Sequence, residues 1–250
     1  MQRGVFVIGL YDIHTHFIPN VDDGSSSMEE TIQLLKREYN DGVRTIYLTS
    51  HYRKGMFEPD VKFLVSQYKK VRIEAAKIAP DLRAIIGCEF HANMDMIDTL
   101  NRVQRPTMGM GRAVLVEFSD RWNYDAIKER CYALLSNGYD PIIAHIERYS
   151  ALLNHLDRVQ ELVDMGAYIQ INADSFLGVH GLKIKMFANK VMKNGLLHFV
   201  ASDGHNMSNR KPNLGACAEY IEKKMGTAYA KKIFIDNPYR IIELNKKTGE

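Results

Sequence analysis

The sequence predicts an α/β fold, a distorted seven-unit (β/α) barrel of TIM-like type. Three observations carry this. Seven short apolar runs are continuous in Ile, Val, Leu and Tyr rather than alternating, as strands buried on both faces are. The stretches between them place apolar residues three or four apart, the spacing of core-facing helices. Gly42, Gly138, Gly166 and Gly195 each precede an apolar run, where a left-handed residue after a helix favours glycine. Strand and helix in alternation call for parallel strands with right-handed crossovers, in an open doubly wound sheet or a closed barrel. Seven strands favour closure, one unit short of the usual eight.

In chain order, the strands are expected at 8–13, 45–49, 84–88, 113–116, 142–144, 168–171 and 198–201. Met28, Ile32, Leu35 and Tyr39 form the stripe of the first helix, with Ser27 and Glu30 as a capping box. Val61, Leu64, Val65, Tyr68 and Val71 form the next. Asn237 with Pro238 is expected to open the last helix.

No linker or low-complexity run divides the 250 residues, so the chain reads as a single domain over 1–250, and 46% apolar content is ample for a core. The 33 Lys and Arg are scattered and nearly balanced by 30 Asp and Glu, which excludes a nucleic-acid clamp. The apolar stretch at 5–10 is too short to span a bilayer and runs into Asp12 without a cleavage site, so direct membrane insertion and export are not expected. Three distant cysteines, Cys88, Cys131 and Cys217, fit a reducing compartment, and the reading is cytoplasmic.

Catalytic groups in such barrels stand at the carboxyl ends of several strands, which share one rim. The first residues expected after the strands are His14 and His16, His51, Glu89, Glu117, His145, Asn172, then Asp203 and His205. From His16 onward the units repeat every 27 to 38 residues, one ligand-type side chain each. A lone rim histidine is as often a hydrogen-bonded core residue as a ligand; five together are not. With Asn172 set apart, Asp23, in the loop before Gly24, is the ninth candidate ligand, whereas Asp22 reads equally well as a turn residue. Imidazole and carboxylate without thiolate suit Mn, Fe or Zn, and this many ligands imply two or three ions. Arg148 and Arg210 follow His145 and His205 closely, where a guanidinium can hold a phosphate bidentately. Arg53, Lys54 and Lys211 lie near ligands too, though the two lysines read better as solvated charges.

The segments Asp12-Ile-His14-Thr-His16, Gly87-Cys-Glu89, Leu115-Val-Glu117-Phe, Ile143-Ala-His145-Ile-Glu-Arg148-Tyr and Ala201-Ser-Asp203-Gly-His205-Asn resemble the polymerase and histidinol phosphatase (PHP) family. So does the stretch from Thr49 through His51 and Arg53 to Phe57. More narrowly, they resemble its manganese-dependent tyrosine phosphatases from Gram-positive capsule and exopolysaccharide operons, from about Tyr11 to Leu244. The resemblance implies His14, His16, Glu89 and Asp203 on one metal, Glu89, Glu117 and His145 on a second, and Asp23, His51 and His205 on a third. It implies Arg148 and Arg210 as the phosphate-binding arginines and Mn2+ as the ion, with Fe or Zn as alternatives. The implied substrate is a tyrosine-phosphorylated bacterial kinase of the polysaccharide operon, with inorganic phosphate as product. Tyr52, where a basic residue is common, and Gly204, where a larger one is common, depart from the pattern.

The expected reaction is hydrolysis of a phosphate monoester by metal-activated water, with no covalent enzyme intermediate. Thiol chemistry is excluded, because Met94, Asn137 and Lys223 stand where a Cys-x5-Arg motif needs arginine. Neither a Gly-x-Ser-x-Gly elbow nor a phosphate-cradling glycine loop is present. The rival readings are a histidinol-phosphate phosphatase, a PHP-type nuclease module and a non-catalytic metal-binding regulator. Tyr52, Phe57 and Trp122 are candidates to stack on a phenol ring.

Overall fold

The computed structural model describes residues 8–102 and 104–244. The order is β1 (Leu10–Thr15), α1 (Met28–Asn40), β2 (Val43–Leu48), β3 (His51–Tyr52), α2 (Val61–Ile78), β4 (Arg83–Ile86), β5 (Glu89–His91), α3 (Met96–Asn101) and β6 (Ala113–Glu117). Then follow α4 (Tyr124–Ser136), β7 (Asp140–Ile143), α5 (Leu156–Asp164), β8 (Tyr168–Asn172), α6 (Ala173–Leu177), α7 (Leu182–Lys193), β9 (Phe199–Ala201), α8 (Leu214–Met225) and α9 (Thr227–Lys231). Every strand pair is parallel, in two ladders, β1-β2-β4 and β3-β5-β6-β7-β8-β9. The result is a mixed α/β fold with a curled parallel sheet. Beyond β9 the chain returns to β1: His16 N donates to Gly204 O at 2.9 Å and Asp203 N to His14 O at 3.0 Å.

The sheet is apolar on both faces because both are covered. Tyr11, Ile13, Tyr47, Leu115, Ile142 and Phe199 pack together with Ile242 of the C-terminal helical turns, one shared cluster inside the curl. The larger cluster includes Leu34 and Leu35 of α1, Ile127 and Leu134 of α4, and Phe187 and Val191 of α7. Gly42, Gly138, Gly166 and Gly195 all have positive φ, from 74° to 110°, so these four joints use the left-handed turn expected of them.

Three expectations change. Units two and three each break and resume, because the pairs Thr49-Ser50 and Gly87-Cys88 interrupt the runs, giving nine strand segments among the described residues where seven runs were read. At Gly87 a Cβ would sit 3.0 Å from both Met108 Sδ and Thr49 Cγ2, so the chain passes where only a bare backbone fits easily. The first strand runs to Thr15 and leaves Ile8 outside it, 61% exposed; His14 is therefore within a strand rather than after one. Finally, Asn237 and Pro238 do open the last helical element, Pro238–Glu243, but it is of π type and not set off from the helical turns before it. Asn237 has helical φ and ψ, and wider π-type turns continue from Lys232–Asp236 through Pro238–Glu243. A π turn leaves an amide without its usual partner, and proline, which has none to offer, is tolerated there.

Only half of the expected capping box forms. Ser27 Oγ accepts from Glu30 N at 3.2 Å, but the Glu30 carboxylate turns instead to Ser26 N, Ser26 Oγ and Met207 N. It thereby ties α1 to the loop carrying His205.

Candidate metal centre

The break in the sheet sets the geometry of the centre. His51 and Glu89 are the first residues of β3 and β5 and are register partners. Glu117 and Asn172 end β6 and β8, and His145, Asp203 and His205 follow β7 and β9. His145 and Asp203 take left-handed backbone, with φ of 31° and 53°, which costs a non-glycine residue about 1 kcal/mol or more. Such strain persists only where neighbours hold it. Gln170 Oε1 accepts from His145 N at 2.8 Å, and His14 O accepts from Asp203 N.

Four donor atoms meet beneath the rim. His14 Nε2 and His16 Nε2 lie 3.2 Å apart, each 3.2–3.3 Å from Glu89 Oε2 and 3.5 Å from Asp203 Oδ1. Ligands about 2.1 Å from a common tetrahedral centre are separated by about 3.4 Å, so the spacing fits one cation. Glu89 Oε1 lies 2.8 Å from His145 Nε2, and Glu117 Oε1 is 3.9 Å from the same nitrogen. Asp23 Oδ1 lies 3.5 Å from both His51 Nε2 and His205 Nε2. The donors of His16, Asp23, His51 and His205 form one compact group, and those of His51, Glu89 and Glu117 another.

Several of these buried atoms lack an aligned hydrogen-bond partner: His51 Nδ1, Glu89 Oε2, Glu117 Oε2 and His205 Nε2. His51 Nδ1 is only 2.8 Å from Glu89 Oε2. Proximity without alignment is what two groups aimed at a shared cation show, and orphaned buried polar atoms are otherwise costly. The donor set, imidazole and carboxylate around one space, suits Mn, Fe or Zn.

The protonation pattern follows from the crowding. Burial pulls His14, His16 and His51 down, but the carboxylates of Glu89, Asp203 and Asp22 outweigh it and raise all three above the ordinary imidazole value. Burial likewise opposes ionisation of Glu89 and Asp203, yet the imidazoles hold both well below the usual carboxylate range. Burial and the Glu89 charge push Glu117 up to about 7. His205 is drawn down to about 4 by burial and by His16. Protons thus supply positive charge where the donors are arranged to take it from a cation.

All nine expected ligand-type residues come together, and Arg148 and Arg210 lean over them. Arg148 Nη1 donates to Asp203 Oδ2 at 3.3 Å, and Arg210 donates to Asp203 at 3.2 Å and to Asp23 at 3.3 Å. Asp22 is a turn residue and more: it accepts from Gly24 N, from His51 N at 2.8 Å, and pairs with His16 Nδ1 at 2.8 Å. An imidazole held this way from behind presents its other nitrogen in a fixed direction.

Sequence reading missed Asp12 and Gln170. The Asp12 carboxylate accepts from Ser202 N and His14 N, joining β1 to the Asp203 loop, and burial lifts it to about 6. Gln170 braces His145 and donates to Asn172 Oδ1 at 2.8 Å. Their signal was a polar side chain inside an otherwise apolar strand run. Two of the three proposed ring-stacking aromatics are placed elsewhere. Tyr52 is buried between Phe90 and the Arg105 guanidinium, and Trp122 packs on Phe118. Phe57 alone of the three lines the central cavity.

Fold and site together define a class: a PHP/TIM-like α/β protein with a polyvalent imidazole and carboxylate centre overhung by arginines. Residues 10–243 match the capsular polysaccharide synthesis family CpsB/CapC, and the chain belongs to that family. It is 41% identical to the tyrosine-protein phosphatase CpsB of Streptococcus pneumoniae, over 93% of this chain and 98% of that one. It is 27% identical to the tyrosine-protein phosphatase YwqE of Bacillus subtilis, over 87% and 86% of the two chains. Among solved structures, one chain from the crystal structures of YwqE of Bacillus subtilis and CpsB of Streptococcus pneumoniae, described as unique metal-dependent tyrosine phosphatases, matches with a TM-score of 0.86 at 25% identity, covering 95% of this chain and 96% of that one. The phosphotriesterase homology protein of Escherichia coli shares the fold at a TM-score of 0.59 and 15% identity, over 93% and 98%.

Proposed function

We propose that this chain is a metal-dependent protein-tyrosine phosphatase acting on a phosphotyrosine-bearing bacterial kinase that regulates capsular or exopolysaccharide synthesis. The observation that carries it is a cluster of orphaned, ligand-type donors directly under two arginines, in a chain whose relatives are named tyrosine-protein phosphatases. The reading includes a single domain over 1–250, with the two short strands as continuations of their units in a seven-unit barrel, working in the cytoplasm. Among the described residues no helix is long and apolar enough to cross a membrane.

In this reading His14, His16, Glu89 and Asp203 hold one ion, Glu89, Glu117 and His145 a second, and Asp23, His51 and His205 a third. Two or three Mn2+ ions at these positions supply a lowered pKa for water and neutralise phosphoryl charge. The protein's own part is positioning. Arg148 and Arg210, anchored through Asp203, present donors to the phosphoryl oxygens as charge develops there. Asp22 and the Tyr149 hydroxyl fix the imidazoles of His16 and His145 from behind, and Gln170 holds the His145 backbone. The phenolate that leaves has a conjugate acid of pKa near 10, so it departs without the strong general acid that an aliphatic alkoxide requires. The three thiols take no part: all are buried, which raises each, Cys131 to about 12.

The test is metal analysis of the purified protein, then kcat/KM on a phosphotyrosine peptide, the matching phosphoserine peptide and histidinol phosphate, before and after chelation. Phosphotyrosine should be the best substrate, with loss on chelation and recovery with Mn2+. A histidinol phosphate value equal to or above it would overturn the reading.

A further inference from the structure

Three depressions meet at Arg148. The central one, about 260 Å3, contains the donors of Asp23, His51 and Glu89. A second, about 320 Å3, runs past Arg53, His91, Ser119 and Asp120. The third, about 590 Å3, opens between Arg148, Asp203 and Arg210 and the segment entering α7, where Val179, His180 and Ile184 line it.

A phosphate monoester makes two opposite demands, an anionic head and, for tyrosine, an apolar ring one bond away. With the head under Arg148 and Arg210, the ring must enter a space continuous with them. The third depression shares Arg148, Asp203 and Arg210 with the centre, and its volume falls in the ~300–1,000 Å3 range of small-molecule sites. Its apolar wall is available: Val179 is 64% exposed and Ile184 half-buried. The second depression offers a ring less. Its aromatics, Phe118 and Tyr149, are both 2% exposed, and the polar groups beside them would lose water to an apolar guest. Phe57 has one face taken, stacked on His51 with centroids 5.3 Å apart and planes 9° from parallel.

We propose that the depression walled by Val179 and Ile184 receives the phenol ring of the phosphotyrosine substrate and sets the preference for aryl esters. This rests on the phosphatase reading above and deepens it. Because the ring is held by area rather than by hydrogen bonds, removing the wall weakens binding of the aryl group and leaves the head group alone.

The experiment titrates benzylphosphonate and methylphosphonate calorimetrically into Mn2+-loaded protein, wild type, Val179→Ser and Val179→Ser/Ile184→Ser, with Phe57→Ala alongside. Benzylphosphonate should bind the wild type more tightly, and its Kd should rise about tenfold in the double variant while that of methylphosphonate stays put. Val179 is an exposed loop residue, so the single variant preserves a folded comparison, with a smaller loss. An unchanged ratio of the two affinities in the wall variants overturns the proposal, as does a ratio that collapses only in Phe57→Ala. Wild-type protein that prefers benzylphosphonate yet fails to hydrolyse phosphotyrosine sinks the phosphatase reading and spares the ring site.

Discussion

Asp203 is the residue on which the most interactions converge. It faces His14 and His16, receives both arginines and is held at a left-handed backbone angle by His14 O. The arginines therefore neutralise the Asp203 carboxylate, and under the proposed function they would turn to the phosphoryl group when it arrives. Arg148→Ala and Arg210→Ala should each lower kcat about 10²-fold, the usual cost of one lost donor at a developing oxyanion. Steady-state kinetics on a phosphotyrosine peptide checks this, and full kcat/KM with normal inhibition by inorganic phosphate would reduce them to surface charges. His145→Ala should act differently, since it removes an imidazole donor and leaves Glu89 Oε1 and the Tyr149 hydroxyl without their partner, while the backbone bond to Gln170 stays. Activity should fall by orders of magnitude together with metal per chain, measured by elemental analysis. At this scale the ligand-type residues were legible because rim position and chemistry coincide in them. Asp12 and Gln170 were legible only as polar breaks in apolar runs, because their partners, Ser202 N and His145 N, lie 190 and 25 residues away and give the break no local meaning.

Elements whose reasons are local were read well, and those governed by packing were not. Helix α1 and the four glycine joints depend on periodicity and φ alone and stand where expected, although the buried face of α1 is Thr31, Leu34, Leu35 and Glu38, so that of the expected stripe only Leu35 is fully buried. The second and third units split where Thr49 and Met108 close on Gly87, a tertiary approach that no local pattern announces. The loop from Val21 to Ser25 shows the same division. Its turn was legible from Asp22, Asp23 and Gly24, but not its closeness to His16, where a Cβ on Gly24 would lie 2.1 Å from His16 O. Ser25 N donates to that same oxygen at 2.9 Å, so the loop is clamped over the histidine it braces. Gly24→Ala must therefore displace Asp22 and Asp23. Expected are a loss of activity of tenfold or more and weaker metal retention, with near-native helix content. Elemental analysis after dialysis and circular dichroism measure both; a fully active, metal-replete variant would show that the loop does not position the centre. Cys88, Cys131 and Cys217 make the opposite case. A triple Cys→Ala variant should lose stability through core cavities and keep its turnover per folded molecule, which a thermal melt and kinetics separate.

For the whole molecule, the centre couples folding, protons and metal. In the metal-free protein His14, His16 and His51 have raised pKa values, through carboxylates that outweigh burial. Raised folded values contribute stability that is complete below the unfolded value near 6.5 and is lost as pH rises through the folded values. Glu117, lifted by burial to about 7, has the same sign, its contribution present below the unfolded value and fading as pH rises through 7. Glu89 and Asp203 run the other way: theirs is present above the ordinary carboxylate value and lost as pH falls through the depressed ones. His198, lowered by burial to about 4 while accepting from Ile169 N, also favours the fold above 6.5 and withdraws that stability between 6.5 and 4. His198 lies outside the centre, so it shifts metal-free and metal-loaded protein alike and cancels in their difference. What remains is competition for the same donors. A cation must displace the protons held by His14, His16, His51 and Glu117, and each proton released makes apparent affinity climb about tenfold per pH unit. The gap in melting temperature between Mn2+-loaded and chelated protein should therefore widen from pH 6 to pH 8. Calorimetric titration of Mn2+ in buffers of different ionisation enthalpy should register net proton release at pH 7, diminishing towards pH 8.5. A gap constant across that range, with no proton released, would mean that Mn2+ does not bind through these side chains.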